Sequence, residues 1–240
     1  MTKPVTNPES RVRELHVHEG EFILVDKPKG WTSFDVVNKL RNLFSVRRIG
    51  HAGTLDPNAT GLLIVCTASK TKEISQFVAL EKEYQAVMLL GARTASFDGE
   101  TPIIERKSTD NVNDVRVSAV LQDFVGLQTQ IPPMWSAARA QGKRLYAYAR
   151  KGIEVERAPR EIRIDAITPT LIDIPRVAFT VVCSKGTYVR TLVDDIGNRL
   201  GCGAYLEDLR RTRIGPYHVS EAYTIEELIA YCATWRSASV

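Results

Sequence analysis

The chain has no apolar run near the roughly 20 residues a membrane span requires, and its opening from Met1 to Pro8 has no apolar core of the secretory type. Both absences lead to the expectation of a cytoplasmic protein with no membrane partner. Cysteine is scarce and scattered. Cys66, Cys183, Cys202 and Cys232 form no C-x-x-C pair, so a zinc ribbon or redox dithiol is not expected, and a chain this long needs no disulfide staples. His16, His18 and His218 have no metal-ligand spacing, and no metal site is expected. Neither G-x-G-x-x-G nor a P-loop lysine motif is present, which removes the common nucleotide-binding signatures. Internal repeats and low-complexity linkers are also missing.

What remains is a 240-residue chain, 44% hydrophobic and 25% charged, long enough for a sizeable core. Its net charge of +4 is unevenly placed. Residues 139–163 hold eight Lys and Arg against three Glu, a local +5, so the rest of the chain sums to −1. Such a stripe attracts a phosphate backbone, although a solvated helix face is also built from charged runs.

Apolar runs and turn residues predict strands over Glu21 to Asp26, Leu62 to Thr67, Tyr84 to Leu90, Val177 to Cys183 and Ala204 to Ile214. Helices are predicted over Phe34 to Phe44, capped by Thr32 or Ser33, and over Lys70 to Leu80, Val115 to Phe124, Tyr188 to Leu200 and Ile225 to Tyr231. A polar loop is expected from Ser96 to Asn111. Without a regular βαβ rhythm the pattern indicates an α+β domain on a large, mostly antiparallel or mixed sheet flanked by helices. Residues 1–20 read as an N-terminal tail and 21–240 as one domain with a basic excursion.

Four segments could carry chemistry. The first is Arg48-Ile49-Gly50-His51-Ala52-Gly53-Thr54-Leu55-Asp56-Pro57-Asn58-Ala59-Thr60-Gly61. Proline extends the residue before it, and glycines allow unusual backbone shapes, so Asp56 is expected to be held stiffly on a loop. An Asp-Pro pair can equally be an ordinary Asx turn. No serine or cysteine nucleophile with a base lies nearby, which argues against a hydrolase. The second segment, Ser184 to Gly197, runs from a strand through a glycine turn into a helix and places Tyr188 and Arg190 in its first turn. A cation there opposes the helix dipole, which hints at a carboxylate partner for Arg190. The third is Tyr84 in Glu81-Lys82-Glu83-Tyr84, at a strand start where aromatics commonly serve the core. In the fourth, Ile131-Pro132-Pro133-Met134-Trp135-Ser136-Ala137 leads into Gly142-Lys143-Arg144-Leu145-Tyr146-Ala147-Tyr148-Ala149-Arg150. That mixture of aromatics and cations suits stacking with phosphate contacts, and it equally suits an amphipathic helix.

Together, the Gly50 to Gly61 segment, the Lys82-Glu83-Tyr84 block, the Ile131 to Ala137 and Gly142 to Tyr146 segments and Gly186-Thr187-Tyr188-Val189-Arg190 occur in the order of the bacterial tRNA pseudouridine synthase B family. The resemblance runs from about Phe22 to Leu228. It implies a pseudouridine synthase fold and isomerisation of one T-loop uridine of tRNA, position 55, with no cofactor, metal or guide RNA. Asp56 matches the catalytic aspartate, Tyr84 the tyrosine that stacks on the target base, and Arg190 the arginine paired with the aspartate. His51, Tyr188 and Leu209 match substrate-binding positions. The segment from about 130 to 163, with Arg139, Lys143, Arg144, Arg150 and Lys151, resembles an RNA-gripping insertion. A monomer acting on the T-arm stem-loop is expected, and no full C-terminal RNA-binding domain. Ala52 and Trp135 depart from the commoner threonine and tyrosine. A guide-RNA-dependent relative and a non-catalytic tRNA-binding or tRNA-folding module are the alternatives.

Overall fold

The computed structural model describes residues 14–136, 138–140 and 142–238, with side chains undescribed at 139, 140 and 235–238. Of the expected N-terminal tail, residues 1–13 lie outside this range. The chain order is β1 (Phe22–Lys27), α1 (Ser33–Phe44), β2 (Ile49–Ala52), β3 (Thr60–Thr67), a 3-10 turn (Ala68–Glu73), α2 (Ile74–Ala79), β4 (Lys82–Leu90), β5 (Ala92–Thr94) and β6 (Ile103–Arg106). Then come α3 (Asp114–Asp123), β7 (Gly126–Gln130), β8 (Arg139–Ala140), β9 (Lys143–Arg144), α4 (Leu145–Ala149), β10 (Arg160–Asp173) and β11 (Arg176–Cys183). α5 (Val189–Leu200), β12 (Ala204–Ile214), β13 (Tyr217–His218), a 3-10 turn (Val219–Glu221) and α6 (Ile225–Ala238) complete it.

Nine strands form one mixed sheet in the order β1-β3-β12-β4-β11-β10-β7, with β2 on β3 and β13 on β12. All its pairings are antiparallel except β12 with β3, where Arg210 and Arg211 lie beside Thr60 and Gly61. This confirms the expected α+β class and mixed sheet. β3 is apolar from Leu62 to Cys66 because both its faces are covered there. Leu63 and Val65 pack with Val36 and Leu40 of α1 and Leu228 of α6, while Leu62, Ile64 and Cys66 pack with Phe77 of α2. A larger cluster joins α3 and α5 to the sheet through Val117, Leu121, Leu192, Ile196, Met88 and Phe179. Each such fully buried side chain contributes about 1.5–3 kcal/mol.

Two glycines are demanded by close approach. A Cβ on Gly61, whose φ is +100°, would stand 2.3 Å from the Arg211 carbonyl oxygen, and one on Gly197 would stand 2.2 Å from the Ala204 nitrogen. Gly61 thus admits the parallel pairing of β3 and β12, and Gly197 lets α5 lie against the start of β12.

The structure corrects several expectations. The glycine-rich segment contains the strand β2, and the polar loop 96–111 contains β6. The helix expected over Lys70 to Leu80 is a 3-10 turn followed by a six-residue α2. α6 runs to Ala238, beyond the expected Tyr231. The basic segment is not one amphipathic helix: it holds the short hairpin β8–β9, the five-residue α4 and the start of the long β10. Among the described residues no helix is long and apolar enough to cross a membrane. All four cysteines are buried thiols.

Candidate active site

Asp56 sits on the loop between β2 and β3, and its neighbours are fastened on both sides. Ser33 at the start of α1 donates from Oγ to the Leu55 carbonyl at 3.2 Å and accepts from the Leu55 N–H at 2.9 Å. Thr32 supplies the cap that fixes this helix start, accepting from the Asp35 N–H. After Asp56, the Pro57 carbonyl accepts from the Gly30 N–H at 2.9 Å and from Lys27 Nζ at 3.2 Å. Lys27 is wholly buried, and burial pushes its ammonium down to about 8. The Trp31 and Pro28 carbonyls complete its shell at 2.6 and 2.9 Å. The stiff loop expected around Asp56 is therefore present, and it is made stiff by α1 and β1 as much as by its own glycines.

Arg190 supplies the carboxylate pairing that its place at a helix start foreshadows. Its side chain is 3% exposed, and its two terminal nitrogens reach two carboxylates: Nη2 to Asp56 Oδ1 at 3.2 Å and Nη1 to Asp98 Oδ2 at 3.3 Å. Asp98, in the β5–β6 loop, is held in turn by Ser96 Oγ at 2.6 Å and by the Glu100 N–H at 2.9 Å. Sequence reasoning missed Asp98, because a carboxylate in a polar loop carries no local mark of a partner 92 residues away. The start of α5 is anchored by Gln130 of β7, which accepts from the Tyr188 N–H at 2.8 Å and donates to its carbonyl at 3.1 Å. The Arg190 guanidinium lies 5.9 Å from the centre of the Tyr188 ring.

A cavity of about 460 Å³ gathers Asp56, Tyr84, Arg190, His51, Tyr188 and Leu209 on its walls. Ligand pockets commonly occupy 300–1,000 Å³. Burial raises the Asp56 carboxyl above its ordinary 3.8, and Arg190 opposes that rise. Burial likewise raises the Tyr84 phenol, with the Arg211 guanidinium pulling it back, so the phenol stays protonated at neutral pH. His51 is pushed below its ordinary 6.5, first by burial and then by Arg211, and its buried Nδ1 has no hydrogen-bond partner among the described residues. The wall thus sets an arginine-paired carboxylate beside the neutral Tyr84 and His51 rings.

Lys82 and Arg211 also line this cavity and escaped sequence reasoning. Lys82 Nζ donates to the Val78 and Leu80 carbonyls at 2.7 and 2.6 Å, at the C-terminal end of α2 where the helix dipole favours a cation. Burial pushes it down to about 8.

The basic residues behave differently from the six wall residues. Lys143, Arg144, Arg150 and Lys151 are exposed, whereas among the described residues of the same segment only Ala138 and Arg160 reach the cavity wall. The side chain of Arg139 lies outside the described residues. Arg150 covers the Tyr146 ring at 4.5 Å, Trp135 meets that ring edge-on at 5.3 Å, and Tyr146 Oη donates to Glu100 at 3.0 Å. The excursion is therefore a cationic, aromatic arm standing beside the cavity and touching the loop that carries Asp98.

The chain matches two family models: the TruB family pseudouridylate synthase N-terminal domain over residues 41–189, and the tRNA pseudouridylate synthase B C-terminal domain over residues 190–239. It is 51% identical over 213 residues to a tRNA pseudouridine synthase B of Chlorobium luteolum, covering 87% of this chain and 74% of that one. A protein of the same name from Chloroherpeton thalassium is 45% identical over 88% of this chain and 90% of its own. Among solved structures, a chain in a Cbf5-Nop10-Gar1 complex superposes over all of this chain with a TM-score of 0.74 and 30% identity. A chain of an H/ACA RNP bound to a substrate RNA containing 2′-deoxyuridine gives 0.71 and 28%. The present chain spans only 63% and 62% of those two.

Proposed function

Because the chain belongs to the TruB family of pseudouridylate synthases, we propose that it converts a uridine in the T-loop of tRNA, position 55, to pseudouridine, with Asp56 as its catalytic carboxylate. The observation that carries this reading is the arginine-held Asp56 facing Tyr84 and Leu209 across one base-sized cavity. The reaction exchanges one bond for another within a single nucleotide. The bond from ribose C1′ to N1 breaks, the uracil turns, C5 joins C1′, the C5 proton is released and N1 takes one up, so no atom is gained or lost overall. An ionised carboxylate can trap or stabilise the electron-poor ribose carbon, as glycosidase carboxylates do. Arg190 keeps Asp56 aimed and counters the burial that disfavours its charge. Tyr84 is placed to stack on the extruded base, and its protonated phenol can relay a proton. His51, Tyr188 and Leu209 form further parts of the uridine pocket's wall.

Extruding a base from a folded loop costs a few kcal/mol. The arm bearing Lys143, Arg144, Arg150 and Lys151 would offset this through phosphate contacts. Replacing Lys143, Arg144 and Arg150 together by alanine is expected to weaken stem-loop binding and lower the slope of log affinity against log salt by up to about three. Filter binding between 50 and 200 mM salt reads this out, and an unchanged slope would return the arm to an ordinary solvated surface.

The direct test incubates purified protein with an unmodified T-arm stem-loop, without guide RNA, nucleotide or metal, and looks for pseudouridine by nuclease digestion and chromatography. Product at the T-loop uridine supports the assignment. No product overturns it, and product only after a guide RNA is added would place the chain with guide-dependent enzymes instead.

A further inference from the structure

Arg211 is the largest fully buried side chain among the described residues, 1% exposed in the middle of β12. A guanidinium removed from water is costly unless it is compensated, yet among the described residues no carboxylate lies within ion-pairing distance of it. Its Nε donates to the Leu62 carbonyl at 2.7 Å and its Nη2 to the Gly53 carbonyl at 3.1 Å, and the guanidinium also faces the Tyr84 phenol, so its partners are neutral oxygens. Backbone pairing on both sides fixes the residue, against Gly61 of β3 and Tyr84 of β4. An apolar side chain of that volume would pack without the desolvation cost. Retaining an uncompensated cation makes chemical sense where negative charge appears only during the reaction.

The other groups around the cavity are already answered. Arg190 is shared between Asp56 and Asp98, and Lys82 is satisfied by carbonyls at the end of α2. His51 is neutral and Tyr84 is protonated. Arg160 lines the cavity from the start of β10. Among the described residues lining the cavity, Arg211 alone combines a fixed charge, full burial and no acidic counterpart.

Resting on the pseudouridine synthase assignment above, we propose that the Arg211 guanidinium stabilises the uracil anion during its separation from the ribose. When the C1′–N1 bond breaks, its electron pair stays with N1 and spreads onto O2 and O4 of the base, while Asp56 takes charge of the electron-poor ribose. The negative charge persists until C5 forms the new bond to C1′ and the pair returns to the sugar. A preoriented cation in a water-poor pocket favours that interval without having to reorganise.

The test exploits leaving-group acidity. Stem-loops carrying either uridine or 5-fluorouridine at the target are compared under single-turnover conditions, following loss of the N-linked nucleoside. 5-Fluorouracil is the stronger acid and needs less help to leave. Arg211→Gln keeps hydrogen-bonding capacity but removes the charge. It is expected to lose on the order of 100-fold on uridine, at least tenfold less on 5-fluorouridine, and little RNA affinity. Arg211→Lys, which keeps the charge, is expected to retain more rate than the glutamine variant and to keep the parent's ratio between the two substrates. Equal losses on both substrates, or a lysine variant no better than glutamine, would overturn the inference and leave Arg211 a structural residue. If the glutamine variant does not fold, Arg211→Met is read in the same way. An inactive parent protein would instead refute the assignment itself.

Discussion

Asp56→Asn is expected to lower turnover by about 10⁴-fold or more while leaving stem-loop affinity within a few-fold of the parent. The substitution is nearly isosteric, and the contacts that shape the loop come from Ser33, Lys27 and Gly30 to the backbone of Leu55 and Pro57, so the loop keeps its place. Only the ionisable oxygen is lost. The parent protein should also show the acid limb that this carboxylate imposes. Burial raises its ionisation above 3.8, so kcat/KM should fall on acidification with an apparent midpoint above that value. Rate measurements from pH 4 to 8 locate it. The same shift makes the ionised form the costlier one in the folded state. Its stability contribution is therefore present below the unfolded value and fades as pH rises through the folded one. Product from the asparagine variant at more than a trace would remove Asp56 from its role.

Arg190→Met should damage both activity and stability, and the two effects separate by pH. The guanidinium is buried between two carboxylates, of which Asp98 is 9% and Asp56 36% exposed. Breaking buried pairs of this kind costs about 3–5 kcal/mol, and the lower end applies here because Asp56 still meets solvent. Without the cation that opposes its rise, the Asp56 carboxyl is expected to ionise at still higher pH, so the stability deficit is largest near neutrality and shrinks toward pH 5 as Asp56 takes up its proton. Thermal unfolding at pH 7.5 and pH 5 measures the difference, and a deficit independent of pH would mean that lost packing dominates. Arg190→Lys should recover part of the stability and little of the rate, since a single ammonium cannot reproduce the planar fork that spans two carboxylates.

Much of this arrangement is legible in the amino-acid order, for reasons that are local. Apolar runs bounded by turns locate β1, β3, β4, β11 and β12 to within about two residues, and helical spacing locates α1, α3 and α5. The hint that Arg190 needs an acid also follows from local electrostatics. What escapes is whatever depends on distant chain segments. β7 is a short polar strand, Gly126–Gln130, stabilised by pairing with Arg160 to Ile164 rather than by its own composition. Arg211 lies in the run Leu209-Arg210-Arg211-Thr212-Arg213, which suggests a charged surface. Irregular pairing between β12 and β4 just after Arg211 breaks simple alternation there, and while Arg210 pairs outward with Asp26 at 2.6 Å, Arg211 turns inward. Asp98 meets Arg190, 92 residues away in the chain, only once the sheet has closed.

The strand order β3-β12-β4 has a consequence for biosynthesis. Two strands made early are held apart by one made more than a hundred residues later, and that late strand brings Leu209 and Arg211 to the cavity. A nascent chain that has emerged only as far as β11 holds Asp56 and Tyr84 but has no strand between them. The cavity can form only after residues 204–214 leave the ribosome and thread between neighbours that must not already have closed on each other. Such non-local assembly is slow and leaves the facing edges of β3 and β4 open to mispairing during synthesis. Asp56 and Tyr84 therefore come to share one cavity wall with Leu209 and Arg211 only in that late step.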